Sequence, residues 1–266
     1  MAMARRAHAP AKGSPMPPPF PSIARFVAKL NRRHPLPDAG TAALLALPAE
    51  RHSHAAFHDI LREGERPVRC AMVEEGLVSR HRILRDGARQ ILSFHMPGDM
   101  IDLQMLLMPA LDHSIHAHTA AVTVSVAQGD LQAVADRHPA VAQALWFDTL
   151  VDAGISREWT VNVGRRSAQE RTAHLLLEFA SRLDAAGGLV DGSFELPVTQ
   201  AGLADALGLT HVHTNRMIQW LRTQRYIRTV GRMITIENWE EMRKLSGFDP
   251  GYLFPEGPRA MPADAD

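Results

Sequence analysis

Residues 202–222 read GLADALGLTHVHTNRMIQWLR, and this stretch decides the architecture of the C-terminal third. Leu196-Pro197-Val198 lead into Thr199, whose hydroxyl can accept an amide at the start of a helix over 200–207. Gly208 then stops that helix, because glycine takes the left-handed conformation past a helix end without a Cβ penalty. Thr210 can cap a second helix reaching about Arg222. Ala204 is small where the two helices must cross, and Leu203, Leu207, Leu209, Met217, Ile218 and Leu221 can fill the space between them. This is the spacing of a helix-turn-helix. Thr214 departs from it, standing where an apolar β-branched residue is usual.

Charge agrees with that reading. No acidic residue lies between Asp205 and Glu237, whereas Arg216, Arg222, Arg225, Arg228 and Arg232 all do. The whole chain is neutral, with 29 Lys+Arg against 29 Asp+Glu. The basic segment is therefore local, the footprint expected for phosphate contact. Residues 226–236, YIRTVGRMITI, alternate about Val230-Gly231-Arg232 and predict a β-hairpin wing beside the second helix. A helical hairpin with a solvated arginine face would explain neither the small residues at the turn nor the missing acids.

Upstream, Ser167-Ala168-Gln169-Glu170 is a capping box in which hydroxyl and carboxylate each satisfy one orphan amide. It opens a helix with Ala173, Leu176, Leu177 and Ala180 on one side, ended by Gly187-Gly188. Before it, Val141, Leu145, Asp148, Val151, Ile155, Trp159 and Asn162 recur at a period near that of a two-helix coil. The same pattern fits a long helix lying on its own β-domain, and Gly154 weakens a coil seam. From His54 to Gly129, short aliphatic runs are broken by Arg85-Asp86-Gly87, Met96-Pro97-Gly98-Asp99 and Gln128-Gly129-Asp130. They predict a β-barrel or sandwich with 120–127 its best strand. Two short helices come first, one with Ile23, Phe26, Val27 and Leu30 at helical spacing, the other over 38–47.

The 266 residues suffice for roughly two domains. A single cysteine, Cys70, excludes an internal disulfide, a cysteine-rich zinc site and a thiolate-held iron–sulfur cluster, and suits a reducing cytoplasm. No segment approaches the ~20 apolar residues of a membrane helix. The basic, Pro- and Ala-rich N-terminus reads as a disordered tail, with Met1 or Met16 the start, and PEGPRAMPADAD as a second loose end.

From Thr199 to Leu253 the chain resembles the winged helix-turn-helix of the bacterial Crp/Fnr regulators, the cyclic-AMP receptor protein and its relatives. The ending from Trp239 to Tyr252, WEEMRKLSGFDPGY, is similar to a tail in one branch of that family. The resemblance implies an α+β chain: a tail over 1–21, a cyclic-nucleotide-binding-like β-roll (jelly roll) over 22–136, a dimerisation helix over 137–164, the DNA-binding domain over 165–253, and a loose end over 254–266. It further implies a cytoplasmic homodimer that regulates transcription on pseudopalindromic double-stranded DNA. That protein would be no enzyme, would need no cofactor, and would admit RNA polymerase as a partner. By position, His211, Val212, His213, Asn215 and Arg216 would face the major groove, with Arg216 on a base or phosphate. Thr199, Gln200 and Thr210 would touch phosphates, and Arg228 and Arg232 on the wing would add sequence-independent affinity. His211 and His213 fit a wet helix start equally well. Val212 stands where many relatives carry a glutamate, so an altered half-site is expected.

For an effector, the resemblance points to Gly98 and Asp99 and, after an insertion, to His113 and Ser114. His113 replaces the arginine whose fixed charge grips a phosphate in the nucleotide-binding relatives, so cyclic AMP is not the expected signal. His113, His116 and His118 could hold a metal or haem, and a metal-dependent cupin-like enzyme built on them is the alternative function. Ile115 and Ala117 are the apolar positions of that strand, which predicts surface histidines; His52, His54 and His58 read the same way. A nucleotide receptor that does not bind DNA is a third reading, opposed by the basic helix-turn-helix.

Overall fold

The structure, a computed structural model, describes residues 20–254. Most of both tails predicted from sequence therefore lies outside the described residues. Pro21 opens α1 (Pro21–Arg33) rather than closing a tail, since its fixed φ suits the first turn of a helix. Helix α1 buries Ile23, Phe26, Val27 and Leu30, and α2 (Asp38–Leu45) follows.

The β region begins at Ala49, earlier than the sequence texture suggested. Strands β1 (Ala49–His54), β2 (Asp59–Leu61), β3 (Arg69–Glu75), β4 (Val78–Ile83) and β5 (Arg89–His95) precede a short 3-10 turn at Leu103–Leu106. Strands β6 (Ser114–Ala117) and β7 (Ala121–Ala127) complete the roll. The strands form two sheets, in the orders β1-β7-β3 and β2-β6-β4-β5. Between them Val73, Val78, Ile101, Ile115 and Ala117 make a small core with no solvent exposure. On the outside of the first sheet, Cys70, Met72, Val124 and Val126 join α1, α2 and two further helices, α3 (Gln128–Arg137) and α4 (Pro139–Arg165), in a second core.

The capping box forms as read: Ser167 Oγ accepts from Glu170 N, and Glu170 receives the Ser167 amide. It starts α5 (Ala168–Ala185). Then come β8 (Ser193–Glu195), α6 (Gln200–Leu207), α7 (His211–Thr223), the hairpin β9 (Ile227–Val230) and β10 (Met233–Ile236), and α8 (Trp239–Ser246). Strand β8 pairs with β10 and widens the wing to three strands; its three residues carry too little pattern to find from sequence.

The third core joins the roll to the DNA-binding end. Ile91 and Phe94, on the outer face of the second sheet, pack with Trp159, Phe179, Leu203 and Leu207. Arg89 Nε bonds Asp205 Oδ2 of α6 at 2.7 Å, and Gln90 reaches the Ala206 carbonyl. Here two sequence readings are corrected. First, Val141, Leu145, Asp148, Val151, Ile155, Trp159 and Asn162 are all buried within the chain itself. They face the chain's own β-roll, α1 and α5, and so cannot be a seam to a second copy. Second, His113, His116 and His118 are not surface residues but are 5%, 9% and 3% exposed. Helix α6 packs on the neighbouring β5 and approaches His118, where a Cβ on Gly202 would sit 3.3 Å from Cε1, while Asp59 and the His81 ring lie against His116.

Candidate nucleic-acid interface

Helices α6 and α7 are set by three local devices. Thr199 Oγ1 accepts the Gly202 amide at 3.0 Å, Gly208 takes φ 61° at the end of α6, and Thr210 Oγ1 accepts the His213 amide at 3.2 Å. Leu203, Ala204 and Leu207 of α6 and Met217 and Leu221 of α7 are buried. Because that face of α7 is committed to the core, its other face is presented to solvent. His211, Val212, Asn215 and Arg216 are exposed and His213 is half-buried. Val212 is 70% exposed, a single apolar residue among polar neighbours.

The wing stands beside this face with Arg228 and Arg232 exposed. Arg228 pairs with Glu237 at 3.4 Å, whereas among the described residues Arg216, Arg222, Arg225 and Arg232 have no ion-pair partner. Thr199 and Gln200 at one helix start and Thr210 at the other are also exposed. At such termini free amides and a positive dipole end favour phosphate. Thr214 is fully buried, and its hydroxyl finds no partner.

The four residues assigned to an effector pocket do not assemble. Gly98 and Asp99 line a cleft between α1 and the end of α5 that His113 and Ser114 do not reach. Asp99 is saturated: it bonds Lys29 Nζ at 3.2 Å, Arg182 Nη2 at 2.8 Å and the Met96 amide at 2.9 Å. Burial raises its carboxyl, but Lys29 and Arg182 more than reverse this and hold it well below the usual carboxylate range. His113 pairs with Asp112 at 2.7 Å, and Ser114 Oγ accepts the Glu63 amide. Asp99 and the Nδ1 side of His113 are thus committed within the chain, while His113 Nε2 is buried without a partner, away from the Gly98–Asp99 cleft. A different polar cluster fills the gap between roll and α4, where Arg80 pairs with Asp152 and bonds the Ile101 carbonyl. Asp102 is buried beside it, raised to about 7 by desolvation against the opposing Ala71 amide.

The histidine cluster is likewise internal. His118 bonds Ser79, His116 bonds Asp59, and the His81 and His116 rings stand 5.7 Å apart. Among the described residues no group of three or more His, Cys, Asp or Glu is placed to hold a metal ion.

Sequence reasoning missed the unpartnered face of α4. Trp146, Leu150 and Val161 are 69%, 51% and 45% exposed along that helix. Spaced 4 and 11 residues apart they share one helix face, but the buried stripe from Val141 to Asn162 is the more regular pattern, and spacing cannot say which stripe the chain itself covers.

Comparison with known proteins agrees with this arrangement. Residues 51–138 match the cyclic nucleotide-binding domain profile and 170–245 the Crp-like helix-turn-helix domain. The chain is 27% identical over 202 residues to the transcriptional activator protein FnrL of Cereibacter sphaeroides, covering 74% of this chain and 80% of that one. It is 29% identical over 190 residues to the nitrogen fixation regulation protein FixK of Rhizobium meliloti, covering 70% and 82%. Among solved structures, FixK2 from Bradyrhizobium japonicum superposes with a TM-score of 0.70 at 30% identity, covering 75% of this chain and 98% of that one.

Proposed function

Because the chain belongs to the Crp/Fnr family of helix-turn-helix transcription regulators, we propose that it works as a cytoplasmic two-fold dimer reading a pseudopalindrome through the N-terminal half of α7. The observation that carries this is the exposed surface of α7 and the β9–β10 hairpin, free of acids between Asp205 and Glu237 and fixed in orientation by the buried face of α7. His211, Val212, His213, Asn215 and Arg216 enter the major groove, Thr199, Gln200 and Thr210 hold the flanking phosphates, and Arg228 and Arg232 steady the wing. The dimer forms along Trp146, Leu150 and Val161, the apolar stripe of α4 left uncovered, and as a two-fold helix-turn-helix dimer it reads half-sites about 34 Å apart. RNA polymerase is the further partner that a DNA-bound activator would meet. The effector is not cyclic AMP, since Asp99 is held by two cations and His113 by Asp112.

Selection of binding sites from random duplex DNA tests the proposal. A two-fold symmetric consensus recovered by the wild type and lost by Arg216→Ala supports it; identical selections by both proteins overturn the site assignment.

A further inference from the structure

Helix α1 carries a basic stripe opposite its buried apolar face. Arg25, Lys29 and Arg32 fall at i, i+4 and i+7, so they share one side of the helix. Burial of Ile23, Phe26, Val27 and Leu30 leaves that side no choice but to face outward. Across from it lie the turn at Pro97–Asp99, the end of α5, and the segment after the wing. Between them is a cleft of about 710 Å³, within the range of small-molecule sites.

The cleft lining combines cationic and apolar side chains. Arg25, Lys29, Arg32, Arg33 and Arg182 contribute cations, against only two carboxylates, Asp99 and Asp184. Asp99 is already neutralised by Lys29 and Arg182, and Arg33 is held by Asp148 at 2.5 Å and by the Leu253 carbonyl. Arg25 and Arg32 remain, exposed and without an ion-pair partner among the described residues. Crowding like charges on one helix face is unfavourable; Asp99 and Asp148 offset Lys29, but among the described residues neither Arg25 nor Arg32 has an ion pair. Apolar lining comes from Leu183, Trp239, Pro250 and Leu253. A chain of phosphates suits Arg25 and Arg32, because guanidinium groups bind phosphate by paired, directed hydrogen bonds. A planar base suits Trp239, because an indole offers a face for stacking.

We propose that this cleft binds a nucleoside polyphosphate, with its phosphates on Arg25 and Arg32 and its base against Trp239. The site lies outside the β-roll, and its walls come from both ends of the chain. A bound nucleotide therefore links α1 and the 97–99 turn to α5 and α8 of the DNA-binding end, bearing on the Lys29–Asp99–Arg182 pairs that already tie them.

Calorimetric titration of the full chain with ATP or GTP, without DNA, tests the binding directly. The expected result is saturable binding at one site per chain, weakened at least tenfold in the Arg25→Ala/Arg32→Ala variant and again in Trp239→Ala. Both arginines are exposed, and thermal melting of the double variant establishes that it folds. No binding, or binding unchanged by the double variant, overturns the proposal. Inorganic triphosphate binding as tightly as ATP removes the base from it. If only long duplex DNA, and neither nucleotide, loses affinity in the double variant, the phosphates belong to flanking DNA and the proposal fails. Because the titration contains no DNA, its failure leaves the proposed DNA-reading surface standing.

Discussion

His118 Nε2 lies 2.8 Å from Ser79 Oγ, and its ring stands so close to Gly202 of α6 that a Cβ added there would come within 3.3 Å of Cε1. A histidine of the β-roll is thus the surface on which the first helix of the DNA-binding end rests. Nothing in that contact can accept a second imidazole proton.

This fixes a pH dependence. Burial, and then the neighbouring His116, lower His118 from 6.5 to about 3, and burial lowers His81 and His113 in the same direction. The unfolded or opened chain therefore binds more protons than the closed one below pH 6.5. Stability is at its full value above the free histidine range and falls as pH drops from there towards about 3. At about pH 5 one such histidine destabilises the closed form by on the order of 2 kcal/mol. Melting temperature should drop over that window, and His118→Gln, which retains a partner for Ser79, should flatten the slope. Superimposable pH profiles for the two proteins would defeat the argument.

Thr214 offers the opposite case, a stabilising change. Its hydroxyl is buried without a partner, and an unmet buried polar group costs roughly 1–3 kcal/mol. Thr214→Val keeps the shape and removes the group, so urea unfolding should show a gain of about 1 kcal/mol with DNA affinity unchanged. A loss of stability would mean that the hydroxyl is satisfied.

The two stripes of α4 predict different failures. Trp146 faces solvent, so Trp146→Glu should leave the monomer fold intact and convert the dimer to monomers in sedimentation, with loss of affinity for a full palindrome. Trp159 is buried and donates its indole N–H to Glu178. Trp159→Ala should cost about 3–5 kcal/mol of stability and strand a carboxyl that burial already raises against the pull of Arg182 and Tyr252. If Trp146→Glu sediments as the wild type does, the dimer seam lies elsewhere.

The readable parts of the chain were those whose signals are local. Thr199, Gly208, Thr210 and the Ser167–Glu170 box each act within three or four residues, and each is found where the sequence placed it. What failed depended on partners far along the chain. Asp99 looks like a free ligand group until Lys29 and Arg182, 70 and 83 positions away, close on it. The histidines of β6 look solvent-facing because Ile115 and Ala117 fill the other side. Their burial comes from partners distant in sequence, Asp59 and His81 at His116 and Gly202 of α6 at His118, and no short-range pattern encodes that.

The reading face itself gives the last prediction. Arg216 is exposed, unpaired among the described residues, and on the same side of α7 as Val212. A bidentate arginine–guanine contact is worth about 1–3 kcal/mol of discrimination, so Arg216→Ala should weaken the selected site about tenfold to a hundredfold while leaving nonspecific binding nearly intact. Arg228→Ala and Arg232→Ala should instead weaken every sequence alike, each lowering the salt dependence by about one phosphate contact. Val212 can make only apolar contact, for instance with a thymine methyl, whereas a carboxylate there could accept from the cytosine amino group. Val212→Glu should therefore move the selected half-site towards cytosine at one position, scored by repeating the selection with the variant. An unchanged consensus from Val212→Glu would show that this residue does not touch the bases.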